Sequence, residues 1–196
     1  MRSLNKQKMS TKTMVLSAIL TAFVILLQLL GTFTAFFGPF STAVALIPIV
    51  IGAAMCGVGI GAWLGFVFAM TVLLSGGAAL FLAFDIPGTL VTVVAKGILC
   101  GLAAGLVYKL LRRVNEYVAV VAAAITAPIV NTAVFLLGCL CFFMDDAAAI
   151  GQLVGVAEAG FGVFIALALA NFLFELGMNI VLSPVIVRIL NIKKKI

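Results

Sequence analysis

From Thr13 to Ile189 the chain is made of apolar runs that recur almost without a break, several long enough to cross a hydrocarbon core of ~30 Å. Runs of that length leave little choice of fold, because a chain in lipid must satisfy its own backbone hydrogen bonds. The composition points the same way. With 65% hydrophobic and 9% charged residues, a soluble domain of 196 residues would expose an enormous apolar surface. The sequence therefore predicts an all-α integral membrane protein, one domain covering residues 1–196, folded as a compact helical bundle with no room for a second, soluble domain.

The net charge of +6 is gathered into three blocks: Arg2, Lys6, Lys8 and Lys12; Lys109, Arg112 and Arg113; Arg188 and Lys193 to Lys195. Lys96 alone stands outside them. Cationic flanks remain on the cytoplasmic side, so the blocks place both termini and one central loop in the cytoplasm and require an even number of spans. Asp85, Asp145, Asp146 and Glu158 fall in the gaps, on the outer side. Read this way the basic residues are topological anchors facing the lipid bilayer rather than a nucleic-acid surface.

Six transmembrane helices follow, over residues 13–37, 42–56, 58–75, 89–108, 117–144 and 161–189. The first is expected to be retained, since the apolar run from Met14 to Phe37 is too long for a signal peptide and lacks a convincing small-residue cleavage site. It carries Ala18 and Ala22, a small-residue face that either packs within the bundle or docks a partner protein. Pro48 is expected to interrupt the second span, with Gly57 and Gly59 reversing the chain after it. Glycines at 57, 61 and 65 and at 97, 101 and 105 repeat every four residues and predict closely apposed helices. The glycine-rich loop 75–88, with Asp85 and Pro87, is expected outside, folded over the bundle. Pro128 is expected to bend the fifth span. Ile150, Leu153, Val154 and Ala157 have the spacing of a short surface helix or lid.

In the last span, Asn171, Glu175 and Asn179 form one polar stripe, since residues four apart lie above one another on a helix. A carboxylate at membrane depth costs at least ~2.5 kcal/mol unless it meets a partner or water. Helical rise puts Lys96 ~12 Å below the outer end of its span, Asn131 ~18 Å, and Asn171 and Glu175 ~15 to ~21 Å below theirs. Four polar groups from three helices thus share one slab of the bilayer. In one reading Lys96 and Glu175 pair only to lock the helices, and the asparagines bridge them. In the other, Lys96 receives a substrate carboxylate or phosphate, Asn131 and Asn171 exchange hydrogen bonds with the substrate, and Glu175 positions Lys96 or meets a hydroxyl. Asn179 lies deeper, against a neighbouring helix.

Catalysis finds no footing here. The chain has no histidine, and Cys56, Cys100, Cys139 and Cys141 sit in apolar surroundings, which argues against a metal site or a disulfide framework. No nucleophile motif and no phosphate-cradling Gly-x-x-x-x-Gly-Lys-Ser/Thr occurs. A single ionic pair does not make the continuous polar path of an ion channel. A compact binder of a small polar molecule remains.

Six short spans in about 200 residues, basic ends, Ala18-x-x-x-Ala22 in the first helix and polar residues in the outer halves of the last three resemble the substrate-binding S component of an energy-coupling factor vitamin transporter. Gly38-Pro-Phe-Ser41, Ile51-Gly-Ala and Gly61-Ala-Trp-Leu-Gly65 are similar to pantothenate-type members. The resemblance implies capture of a vitamin from outside a bacterial cell, with no cofactor, and association with a membrane coupling protein and two cytoplasmic subunits that hydrolyse ATP. It assigns Ala18 and Ala22 to the coupling protein, and makes Phe40, Ser41 and Asp85 candidates for a pocket or lid. Lys96, Asn131 and Asn171 suit an aliphatic acid with hydroxyls and an amide, as pantothenate is; biotin is the alternative.

Overall fold

In a computed structural model, which describes residues 10–34, 43–155 and 160–195, the shortest of the main helices lies at the centre. The elements are α1 (Thr11–Thr34), a 3-10 turn (Ala43–Ala45), α2 (Leu46–Cys56), α3 (Val58–Leu74), α4 (Ala79–Leu82), α5 (Ile86–Leu111), α6 (Glu116–Phe142), α7 (Ala147–Val154) and α8 (Phe161–Lys195). α2 touches α1, α3, α5, α6 and α8, and Leu46, Pro48, Ile49, Val50, Gly52 and Ala53 are buried in it. The outer end of the first expected span, with Phe40 and Ser41, lies outside the described residues.

Four helices, α1, α5, α6 and α8, are long and apolar enough to cross a membrane. α2 and α3 are shorter, with 11 and 17 residues. At 1.5 Å per residue they reach ~16 Å and ~26 Å, less than a hydrocarbon core of ~30 Å. Burial of α2 among five neighbours removes the need for it to match the lipid.

Three sequence expectations are corrected at the ends of these helices. Pro48 does not interrupt the second span: it is the third residue of α2, within the first turn, where a missing N–H breaks no intrahelical bond. Gly59 does not help reverse the chain but lies inside α3, and Gly57 alone makes the reversal, with φ +100°. α5 also starts at Ile86 instead of 89. Asp85 is the reason, since its carboxylate caps the helix by accepting from the N–H of Gly88 at 3.0 Å, and Pro87 occupies the first turn.

The glycine repeats meet face to face. A Cβ on Gly65 would overlap the carbonyl oxygen of Gly97, and one on Gly101 would overlap that of Gly61, so α3 and α5 touch backbone to backbone. α5 then packs on α6, and α6 on α8. α7 is the expected short helix: Ile150 is buried beside Phe143 and Phe164, while Leu153 faces outward, 68% exposed, and Ala157 lies outside the described residues.

The apolar interior has two parts. One surrounds α2 and includes Leu46, Ile49, Leu64, Phe68 and Ile186; the other gathers Cys139, Phe143, Ile150, Val163 and Phe164. The cavity described next takes walls from both.

Candidate functional site

α6 and α8 bring together the polar groups that each helix could not bury alone. Glu175 is fully buried, and its carboxylate accepts from Asn131 Nδ2 at 3.1 Å (Oε2) and 3.4 Å (Oε1) and from Asn171 Nδ2 at 2.8 Å (Oε1). Both oxygens accept, as suits an ionised carboxylate. Asn131 turns its amide nitrogen to Glu175, and its Oδ1 is buried without a partner.

One turn further on, Asn179 Nδ2 donates to the backbone oxygen of Glu175 at 2.8 Å, and Ser183 Oγ to that of Asn179 at 2.7 Å. The stripe therefore divides into Asn171 and Glu175 at a cavity and Asn179 below it, bonded along its own helix.

Lys96 reaches the same place from α5. It lines a cavity of about 210 Å³ together with Asn131, Thr132, Asn171 and Glu175. Its ammonium lies over the ring of Phe135, 5.5 Å from the centroid, in a cation–π contact. All four polar residues expected to meet do so in this one space.

The loop after α3 covers the cavity. Gly77, Leu80 and Phe81 are among its lining residues, and Phe81 packs edge-on against Phe135 (centroids 5.4 Å apart) and Phe143 (5.2 Å). Phe81 and Phe135 escaped the sequence reading because nothing distinguishes them from the other 14 of the 16 phenylalanines. A signal for Phe81 existed in the Gly76-Gly77 pair that lets the loop turn inward; Gly76 has φ +80°. Asp85 is not among the lining residues, and its carboxylate serves the start of α5.

Ala18 and Ala22 lie elsewhere, exposed on α1. Ala18 lines an open groove of about 500 Å³ with Met14, Ser17, Thr21, Ile60 and Trp63. Trp63 Nε1 donates to Thr21 Oγ1 at 3.3 Å, pinning the indole along its edge. The small-residue face thus points away from the bundle, which leaves it available to another protein.

A family model described as "ECF transporter, substrate-specific component" matches residues 12–187. No curated protein and no solved structure matches the chain.

Proposed function

The chain belongs to the family of ECF transporter substrate-specific components, and from that premise we propose that it captures pantothenate, or a similar small polar carboxylic acid, in the cavity between α5, α6 and α8. Membership makes it a multi-pass membrane protein and the substrate-binding subunit of a transporter, not an enzyme. Its family partners are the membrane and ATPase subunits of the ECF module and a small-molecule substrate.

One observation carries the proposal: Lys96, Asn131, Asn171 and Glu175 line a single cavity of about 210 Å³ under Phe81. That is a few polar groups in a largely apolar hollow, the usual make-up of a small-molecule site. Lys96 receives the acid, Asn131 and Asn171 meet hydroxyl and amide groups, and Glu175 orients the asparagines. The rings at hand are phenylalanines, while Trp63 stands in the outer groove. This favours an aliphatic acid over a flavin or thiamine held in an indole or phenol cage.

In the membrane the proposal has six spans, α1, α2, α3, α5, α6 and α8, with both termini in the cytoplasm of a bacterial cell. The cavity opens toward the outside, and Phe40, Ser41 and the loop before Asp85 contribute to its closure. Ala18 and Ala22 meet the coupling protein. Equilibrium binding of labelled pantothenate and other water-soluble vitamins to the purified protein tests it. Saturable binding of pantothenate below micromolar concentration is expected; selective binding of biotin would move the substrate, and no binding of any vitamin would sink the proposal.

A further inference from the structure

Lys96 stands on the wall between two chambers. The larger holds Glu175 and its asparagines; the smaller, about 60 Å³, is lined by Thr89, Thr92, Val93, Lys96 and Phe143 among others, and both share Gly77, Phe81 and Phe135. The two differ in chemistry. In the larger, the polar atom left over is an acceptor, Asn131 Oδ1, beside a carboxylate. In the smaller it is a hydroxyl: Thr92 is 4% exposed and its Oγ1 has no partner, whereas the hydroxyl of Thr89 donates to the backbone oxygen of Asp85 at 2.5 Å.

Thr92 is held where it is by a neighbour. A Cβ on Gly138 of α6 would overlap Oγ1 and Cγ2 of Thr92, so this glycine makes room for the side chain at the chamber wall. Thr92 and Lys96 are four apart on α5 and share a face. A buried hydroxyl is normally bonded, and one without a partner on a residue that lines the same chamber as Lys96 is a place where an anion can be received.

We infer that the small chamber is an acid subsite, in which the ligand's carboxylate lies between Lys96 Nζ and Thr92 Oγ1. Room for a few water-sized groups admits a carboxylate with its first carbon and rejects a ring. Glu175 repels an acid from the larger chamber, so the rest of the ligand extends past Phe135, and a hydroxyl or N–H at its far end donates to Asn131 Oδ1. The substrate class is an acyclic acid arm with a hydrogen-bond donor several bonds away. This inference rests on the reading of the larger cavity as the substrate site, and adds the ligand's direction within it.

The test uses the full chain in lipid nanodiscs, with pantothenate and panthenol, which carries a hydroxymethyl in place of the carboxylate. Wild type should bind the acid at least about tenfold more tightly than the alcohol, as a hydrogen bond to a charged group allows. Thr92→Val should remove most of that preference by weakening the acid, Thr92→Ser should keep it, and Gly138→Ala should reduce it. Without ligand, Thr92→Val should melt at the same temperature or higher, because the hydroxyl it removes is unbonded. An unchanged acid-to-alcohol ratio in Thr92→Val, a lower melting temperature for it, or equal binding of acid and alcohol by wild type would each overturn the subsite. If biotin binds in place of pantothenate, biotin and biotinol give the same ratio. Binding of neutral or cationic vitamins alone would overturn the subsite but leave the substrate-binding role standing, and binding of none would overturn both.

Discussion

Asn131 on α6 gives its amide protons to Glu175 on α8, 3.1 Å from Oε2, and this bond joins two helices that pack against each other. A fully buried carboxylate depends on such donors, since removing one leaves it with a desolvation cost that nothing returns. Asn131→Leu should therefore lower stability by about 1–3 kcal/mol and weaken ligand binding as well. Thermal unfolding in detergent reads the first effect. Pairing Asn131→Leu with Glu175→Met should cost less than the two changes added together, because the second removes the charge the first exposed; additive effects would show that the bond contributes nothing.

Lys96 and Glu175 line the same cavity, and the roles of ligand receiver and helix staple predict different behaviour for one substitution. Two asparagine amides already hold Glu175, and Lys96 rests on Phe135. Lys96→Met is thus expected to fold and to lose about 2–5 kcal/mol of affinity for an acidic ligand, about thirtyfold or more in Kd. If it fails to fold and Lys96→Met with Glu175→Met restores the bundle, the pair is a staple.

The polar half of the site was legible in the sequence, and its apolar half was not. Lys96, Asn131, Asn171 and Glu175 are conspicuous because each costs free energy in an apolar run, and helical rise alone puts them at one depth. Phe81 and Thr92 carry no such mark: a phenylalanine or a threonine in a membrane helix or its loop is unremarkable until its neighbours are known. Phe81 acquires its place from the fold of loop and α4, and Thr92 from the absence of a side chain at Gly138, 46 positions away in sequence. The central position of α2 was likewise hidden, because its length says that it is short but not what surrounds it. At Asp85 the signal was present. An acidic residue two before a proline is a helix start, and the glycine-rich stretch ahead of it drew the reading toward a loop.

The contact between α3 and α5 leaves no space for a methyl group at Gly65, because the atom in the way is the backbone carbonyl of Gly97 and cannot rotate aside. Gly65→Ala should push the helices apart and cost about 1–3 kcal/mol, as overpacking does. Gly59→Ala, with nothing within 4 Å of the added carbon, should be neutral or slightly stabilising. Equal melting temperatures for the two variants would contradict the close approach.

Asp85 presents a choice between helix cap and binding residue, and its hydrogen bond to Gly88 favours the cap. Asp85→Ala should lower stability by about 0.5–2 kcal/mol, with Asp85→Asn or Asp85→Ser recovering most of it, and ligand affinity should follow stability only weakly. A drop in affinity with an unchanged melting temperature would place the carboxylate in the pocket instead.

Ala18 and Ala22 are exposed, so a large side chain at either position meets no wall of the bundle. Ala18→Trp would fill the groove beside Trp63 and Thr21, and Ala22→Trp would cover the next turn of α1. Neither touches the cavity under Phe81, so vitamin binding by the purified protein should be unchanged. Uptake by cells that carry the whole transporter should be abolished, because a helix packing on small residues loses its close approach. Leu30→Trp, at another exposed position on α1 about three turns away, serves as the control and should transport normally. Normal uptake by both alanine variants would remove the coupling protein from this face and return the small residues to a role in lipid contact alone.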